Sequence, residues 1–240
     1  MITLTVDELE CILEHFEGAD ITGSYEAVWS KRKYAPMLIH SSKMRRLKDD
    51  IEKKFPEYTI TFDVIFSCKG NEVNWHTDYE SLGPFINNSP FQAICNRNFI
   101  SVHFNLTEEG GRLSTLEWCV LSYINYLITL KCGIFSKQHE FFVKFVVKPL
   151  AYMFSIVYTN TKCVGNVFNN LGLHYVSDGR ERISYVVRMA KSEMVETSKA
   201  CVELAIARSK NCCEFTKFLD VVPENPTCVG IIPWQHTTYE

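Results

Sequence analysis

Near Tyr58 the sequence changes its hydrophobic period, and that switch constrains the fold more than any other feature. Upstream, Leu9, Ile12, Leu13 and Phe16 recur at helical spacing behind Thr5-Val6-Asp7-Glu8, which has the form of a capping box. Met44, Leu47 and Ile51 repeat that spacing over 41–54, and Pro56 ends the run. Downstream, Ile60, Phe62, Val64 and Phe66 alternate with Thr59, Thr61 and Asp63, the period of a half-buried strand. Short strands are expected again at 72–78, 100–107, 112–118, 163–169, 171–176 and 182–189, with a tight turn at Ser177-Asp178-Gly179. A helix is expected from about 194 to 219, then an irregular tail from Val222. Helices, then many strands, then a helix predict a mainly β barrel or jelly roll with flanking helices, not βαβ units.

No Pro/Gly-rich linker divides the 240 residues, so one domain is expected over 1–240. It comprises a helical part at 1–57, a β core at 58–190 with an insert at about 119–162, and a C-terminal helix and tail at 191–240. A hydrophobic fraction of 46% and an aromatic fraction of 13% exclude intrinsic disorder. A net charge of −3 excludes a nucleic-acid binder of basic composition, and nucleic acid is not expected as a partner. The 10 cysteines include no C-x-x-C pair, so zinc-finger spacing is absent. The opening MITLTVDELE lacks a basic segment before an apolar run, so no secretory leader is read and a cytoplasmic location with reduced thiols is expected. The apolar block from Cys119 to Tyr158 is interrupted by Lys131, Lys137, Lys144, Lys148 and Pro149, so no membrane span is expected. A lid, an extra hairpin or a subunit interface are the three readings of this block, the last giving a homo-oligomer.

The chemistry concentrates in a few polar residues. In a strand His76 and Asp78 project from one face and can converge on a divalent metal, with imidazole and carboxylate donors suited to Fe(II). Roughly 0.2 such H-x-D pairs arise by chance in a chain of this composition, so the pair needs support. His174 supplies it from the far end of the strand-rich region, followed by Arg182-Ile183-Ser184. Arg182 and Ser184 share a strand face, and a guanidinium beside a hydroxyl makes a receptor for a carboxylate. In 100–107 the face Ser101, His103, Asn105 and Thr107 is polar, so His103 and Asn105 are candidates for lining a pocket.

With these residues in place the sequence resembles the Fe(II)/2-oxoglutarate-dependent dioxygenase superfamily over roughly 58–190. The pattern of that family falls on His76, Asp78, His174, Arg182 and Ser184, and Leu106 to Leu113, with its Gly-Gly step, is a further echo. The resemblance implies a double-stranded β-helix, a cupin-like jelly roll. It implies Fe(II) held by His76, Asp78 and His174, 2-oxoglutarate as cosubstrate, and O2. Arg182 and Ser184 would bind the distal carboxylate of the keto acid, and Asn105 would contact it. Two departures stand out. The gap from His174 to Arg182 is short for the family, leaving Arg180 and Arg188 open as alternative clamps, and the segment 111–165 is long. Retention of Asp78 implies hydroxylation or desaturation rather than halogenation. The expected substrate is a small polar metabolite, such as an amino acid or natural-product precursor. Action on a protein residue or nucleobase, and a non-catalytic or 2-oxoglutarate-independent metal-binding jelly roll, are the alternatives.

Overall fold

A computed structural model describes residues 1–18, 26–27, 30–33, 38–68, 74–78, 90–108, 111–132, 136–158, 161–177 and 182–195. The expected helix over 194–219, the tail, Asp178-Gly179 and Arg180 therefore lie outside the described residues, apart from the first two positions of that helix. Helix α1 spans Val6–Gly18 and α2 spans Arg45–Lys54, entered through a 3-10 turn at Ser42–Met44. The capping box at α1 is formed: Thr5 N–H donates to Glu8 Oε2 at 2.8 Å and Glu8 N–H to Thr5 Oγ1 at 3.2 Å.

The strands are β1 (Glu26–Ala27), β2 (Ser30–Lys33), β3 (Tyr58–Cys68), β4 (Phe99–Asn105), β5 (Arg112–Leu116), β6 (Ile156–Tyr158), β7 (Gly165–Asn169), β8 (Leu173–Ser177) and β9 (Arg182–Lys191). They form a six-stranded sheet in the order β1-β2-β3-β9-β4-β7 and a three-stranded sheet in the order β6-β5-β8, with antiparallel pairing throughout. Among the described residues the strands thus make two separate sheets, not one closed barrel. The two face each other: Phe168 of β7 lies 4.8 Å, ring to ring, from His174 of β8.

Period-two patterning sorts the large sheet. One face of β3, β4 and β9 carries Ile65, Val102, Phe104, Tyr185, Val187 and Met189, packed beneath α1 and α2 through Ile12, Met44, Leu47 and Ile51. The opposite face of β4 is buried as well, although its residues are Ser101, His103 and Asn105. Burial of a polar strand face is costly unless the groups find partners or a ligand. That face looks toward the small sheet.

Two local expectations change. The segment expected as a strand over 72–78 is, within its described part at 74–78, a single bridge between His76 and His174 followed by a turn, because Asp78 N–H leaves the strand path to bond Asn170 O at 2.8 Å. The apolar block is helical: α4 (Cys119–Cys132), α5 (Lys137–Phe142), a π turn (Val143–Val147) and α6 (Lys148–Phe154), with β6 after them. Leu121, Phe142, Val143, Val147 and Ala151 recur at helical spacing and pack with Trp75, Leu116 and Leu173 on the outer side of the small sheet. No helix among the described residues is long and apolar enough to cross a membrane. A short helix, α3 (Pro90–Cys95), precedes β4 and has no counterpart in the sequence reading.

Candidate metal centre

His76 and His174 are fixed to one another by their backbones, with His76 N–H donating to His174 O at 3.0 Å and His174 N–H to His76 O at 2.9 Å. Each ring is then locked from behind. His76 Nδ1 lies 2.7 Å from Asn74 O, and His174 Nδ1 lies 3.0 Å from Gly172 O. A carbonyl only accepts, so each Nδ1 carries the proton and each Nε2 presents a lone pair forward. Both lone pairs converge on Asp78 Oδ1, at 4.0 Å from His76 Nε2 and 3.7 Å from His174 Nε2. These separations exceed a hydrogen bond, and the three side chains offer ligand atoms all within 4.8 Å of one another. Two imidazoles and one carboxylate, their ligand atoms converging, fit a divalent first-row metal.

The second oxygen of Asp78 is already engaged. Arg188 Nη2 donates to Oδ2 at 3.0 Å and Asn170 Nδ2 donates to it at 2.8 Å. Asn170 is held in turn by Ser101 Oγ, which donates to its Oδ1 at 2.8 Å. Burial raises the Asp78 carboxyl, but His174 and His76 whenever they are protonated, the Arg188 charge and the Asn170 hydrogen bond outweigh it and hold it well below the usual carboxylate range. Asp78 is therefore an anion with one oxygen tied back and one presented.

Strand β9 builds the wall opposite the small sheet, and its residues 182, 184, 186 and 188 alternate onto one face. The register sets Ser184 opposite Asn105, Val186 opposite His103 and Arg188 opposite Ser101. Arg182 is only 5% exposed, its Nε meets no hydrogen-bond partner, and it makes no ion pair among the described residues. Ser184 Oγ, fully buried, is likewise without a partner. A buried guanidinium and hydroxyl left open on one wall are the complement of a carboxylate. Asn105 stands beside them, but its Nδ2 donates to Thr107 O at 2.6 Å and its Oδ1 accepts from Thr107 Oγ1 at 3.1 Å. Burial, then the charges of Arg182 and His174, push the His103 imidazole down to about 3, so this ring is neutral beside the site.

Of the residues singled out in the sequence, His103 and Asn105 lie on β4, His174 on β8 and Arg182 and Ser184 on β9, while His76 and Asp78 lie on the bridge and turn beside β8. Of the alternative clamps, Arg188 is committed to Asp78, and Arg180 is outside the described residues. Asn170 and Ser101 were missed by the sequence reading. The paired amides Asn169-Asn170 just before His174 are the signal that could have marked the first, since adjacent amides at a strand end find backbone and carboxylate partners.

No protein-family model matches the sequence, and no curated protein matches it. Solved structures are similar to it at low identity. An oxidoreductase of the 2OG-Fe(II) oxygenase family from Burkholderia pseudomallei is 13% identical, with 78% of this chain and 79% of that one covered and a TM-score of 0.46. HygX from Streptomyces hygroscopicus, solved with nickel and 2-oxoglutarate bound, is 10% identical over 79% and 80% of the two chains, with a TM-score of 0.49. The α-ketoglutarate-dependent epimerase SnoN of nogalamycin biosynthesis is 10% identical over 79% and 74%, with a TM-score of 0.47.

Proposed function

We propose that this chain is an Fe(II)- and 2-oxoglutarate-dependent oxygenase that hydroxylates or desaturates a small polar metabolite, such as an amino acid or natural-product precursor. The observation that carries the reading is the buried Arg182 without a partner, on the same strand face as Arg188, which touches the candidate metal ligand Asp78. A metal triad alone would serve many reactions; a triad with an open guanidinium receptor on the facing wall serves one that needs a dicarboxylate beside the metal.

In this reading His76, Asp78 and His174 hold the metal. Iron held there with the keto acid would supply the reduction of O2, with release of succinate and CO2. The protein does the rest by placement. Asn74 O and Gly172 O hold the imidazoles in the Nδ1–H tautomer, and Arg188 and Asn170 restrict Asp78 to one donor oxygen. Arg182 and Ser184 take the distal carboxylate, with Asn105 beside them. The neutral His103 adds no charge to compete for that carboxylate. The two sheets are read as the halves of a double-stranded β-helix, and residues 1–240 as one domain.

The experiment is anaerobic addition of Fe(II) and 2-oxoglutarate, followed by O2 and succinate detection against a panel of metabolites. A weak visible band under anaerobic conditions and succinate formation afterward are expected, with Asp78→Ala and His174→Ala losing both. Full activity in either variant overturns the site. Succinate formation independent of Arg182 overturns the clamp.

A further inference from the structure

Residues 137–154 form one helical rod, from α5 through the π turn to α6, about 27 Å long. Its inner face is already satisfied, since Phe142, Val143, Val147 and Ala151 are buried against the small sheet. Its outer face is apolar too: Phe141, Phe145 and Met153 are more than half exposed, and Tyr152 is 94% exposed. A helix with large apolar side chains on its outer as well as its inner face is ordinarily covered on both, yet the outer face of this one lies on the surface. The patch is continuous beyond the rod, because the Phe154 ring packs at a tilt against the exposed Trp118, 5.0 Å between centroids, and the edge strand β6 exposes Ile156 and Val157. Exposed apolar area of this extent marks an interaction site.

The charges among these residues identify the kind of partner. From 119 to 158 the chain has four lysines and a single acid, Glu140, although its overall charge is −3. Lys137, Lys144 and Lys148 are exposed and form no salt bridge among the described residues, and Lys144 lies over the Phe145 ring at 5.4 Å. A two-fold pairing of two copies through this rod would set the lysines against one another. A convex helix with Tyr152 projecting offers no groove to a rigid protein partner. Aromatic rings interleaved with lysines on a convex helix fit a fluid anionic surface, where rings enter the interface and ammonium groups meet the headgroups.

We propose that the 137–154 rod, with Trp118 and Phe154 at its end, is a peripheral docking surface for an anionic lipid bilayer, lying in the membrane plane without spanning it. Because the rod packs on Trp75 and Leu173, next to His76 and His174, docking places the candidate metal centre close to the lipid surface.

The test is sedimentation of the full chain with phosphatidylcholine vesicles, with and without phosphatidylserine as about a third of the lipid. Binding to the anionic vesicles at about 0.1 M salt is expected, with little to pure phosphatidylcholine, and it should weaken at about 0.5 M salt. Removing one lysine lowers such binding about fivefold, so Lys144→Gln with Lys148→Gln should lower it roughly 25-fold. Phe141→Ser with Phe145→Ser should lower it at both salt concentrations, and circular dichroism reports whether either variant is folded. Should the phenylalanine pair fail to fold, the lysine pair decides by itself. Absence of binding, or binding that the lysine pair leaves unchanged, overturns the proposal. A dimer in light scattering that Phe141→Ser with Phe145→Ser dissociates also overturns it, assigning the face to a second copy.

Discussion

Arg188 Nη2 donates to Asp78 Oδ2 at 3.0 Å, across 110 residues of sequence, from the strand that also carries the open Arg182. Two arginines on one strand face therefore have opposite states. One is spent on holding a candidate ligand, and the other is buried without a partner.

Arg188→Met removes the guanidinium donor from Asp78 Oδ2, so the carboxylate gains freedom to rotate. Loss of such a supporting hydrogen bond typically costs about 10- to 100-fold in metal affinity. Titration with Co(II) or Ni(II) measures this without turnover. An unchanged affinity would show that Asn170 suffices.

Arg182 is a charge buried in the ligand-free protein, a state that costs stability. Arg182→Met should therefore raise the melting temperature of the ligand-free chain, by roughly 2–4 °C for each kcal/mol recovered. The same variant should lose the thermal stabilisation that 2-oxoglutarate with metal confers on the wild type, while its metal affinity stays unchanged. A lower melting temperature in the ligand-free variant would mean that the guanidinium is satisfied in solution.

Glu8 gives a prediction about pH. It accepts from Thr5 N–H, Leu47 N–H and the Arg46 guanidinium, joining α1 to α2. Burial raises this carboxyl, but the hydrogen bonds from Arg46 and Thr5 and the Arg46 charge together hold it below its ordinary 4.5. Folding thus favours the ionised form. The stability gained is complete above the unfolded value of 4.5 and is lost as pH falls through the lower folded value. Glu8→Gln should cost about 1–3 kcal/mol at neutral pH and flatten the acid limb of the stability curve. Denaturant melts from pH 7 down to 3 compare the two proteins; parallel acid limbs would show that other carboxylates govern it.

Gly165 lies opposite Phe104 in the β4–β7 register, and a Cβ there would meet Val102 Cγ1 at 2.7 Å and Phe104 Cε1 at 2.8 Å. Gly165→Ala must push apart two fully buried side chains and should cost about 1–3 kcal/mol. Chemical denaturation measures it. A neutral effect would mean that β7 shifts to make room.

Much of the fold was legible because hydrophobic period is a local signal. The strand from Tyr58, the capping box at Thr5 and Glu8, and the polar parity of Ser101, His103 and Asn105 are set by neighbours in sequence, but the parity expected past Thr61 is inverted, because a bulge between Ile60 and Phe62 turns Asp63 and Ile65 onto the buried, helix-covered face. Burial raises the Cys11, Cys119 and Cys163 thiols, the second to about 11. The 119–162 block was ambiguous, since an apolar run of that kind suits a strand or a helix until something packs on it. Its helical form follows from the surface that Trp75, Leu116 and Leu173 offer.

By itself the sequence determined which residues share a strand face, because side-chain parity is a property of the backbone. Arg182 with Ser184 was visible for that reason, whereas His76 and Asp78 meet through a bridge and a turn rather than along a strand. Only the tertiary structure decided what each of them faces. The bridge from His76 to His174, the turn that brings Asp78 N–H to Asn170 O, and the choice of Arg188 over Arg182 as the partner of Asp78 all join segments far apart in the chain. Such contacts depend on which sheets stack and in what register, and no local pattern encodes that.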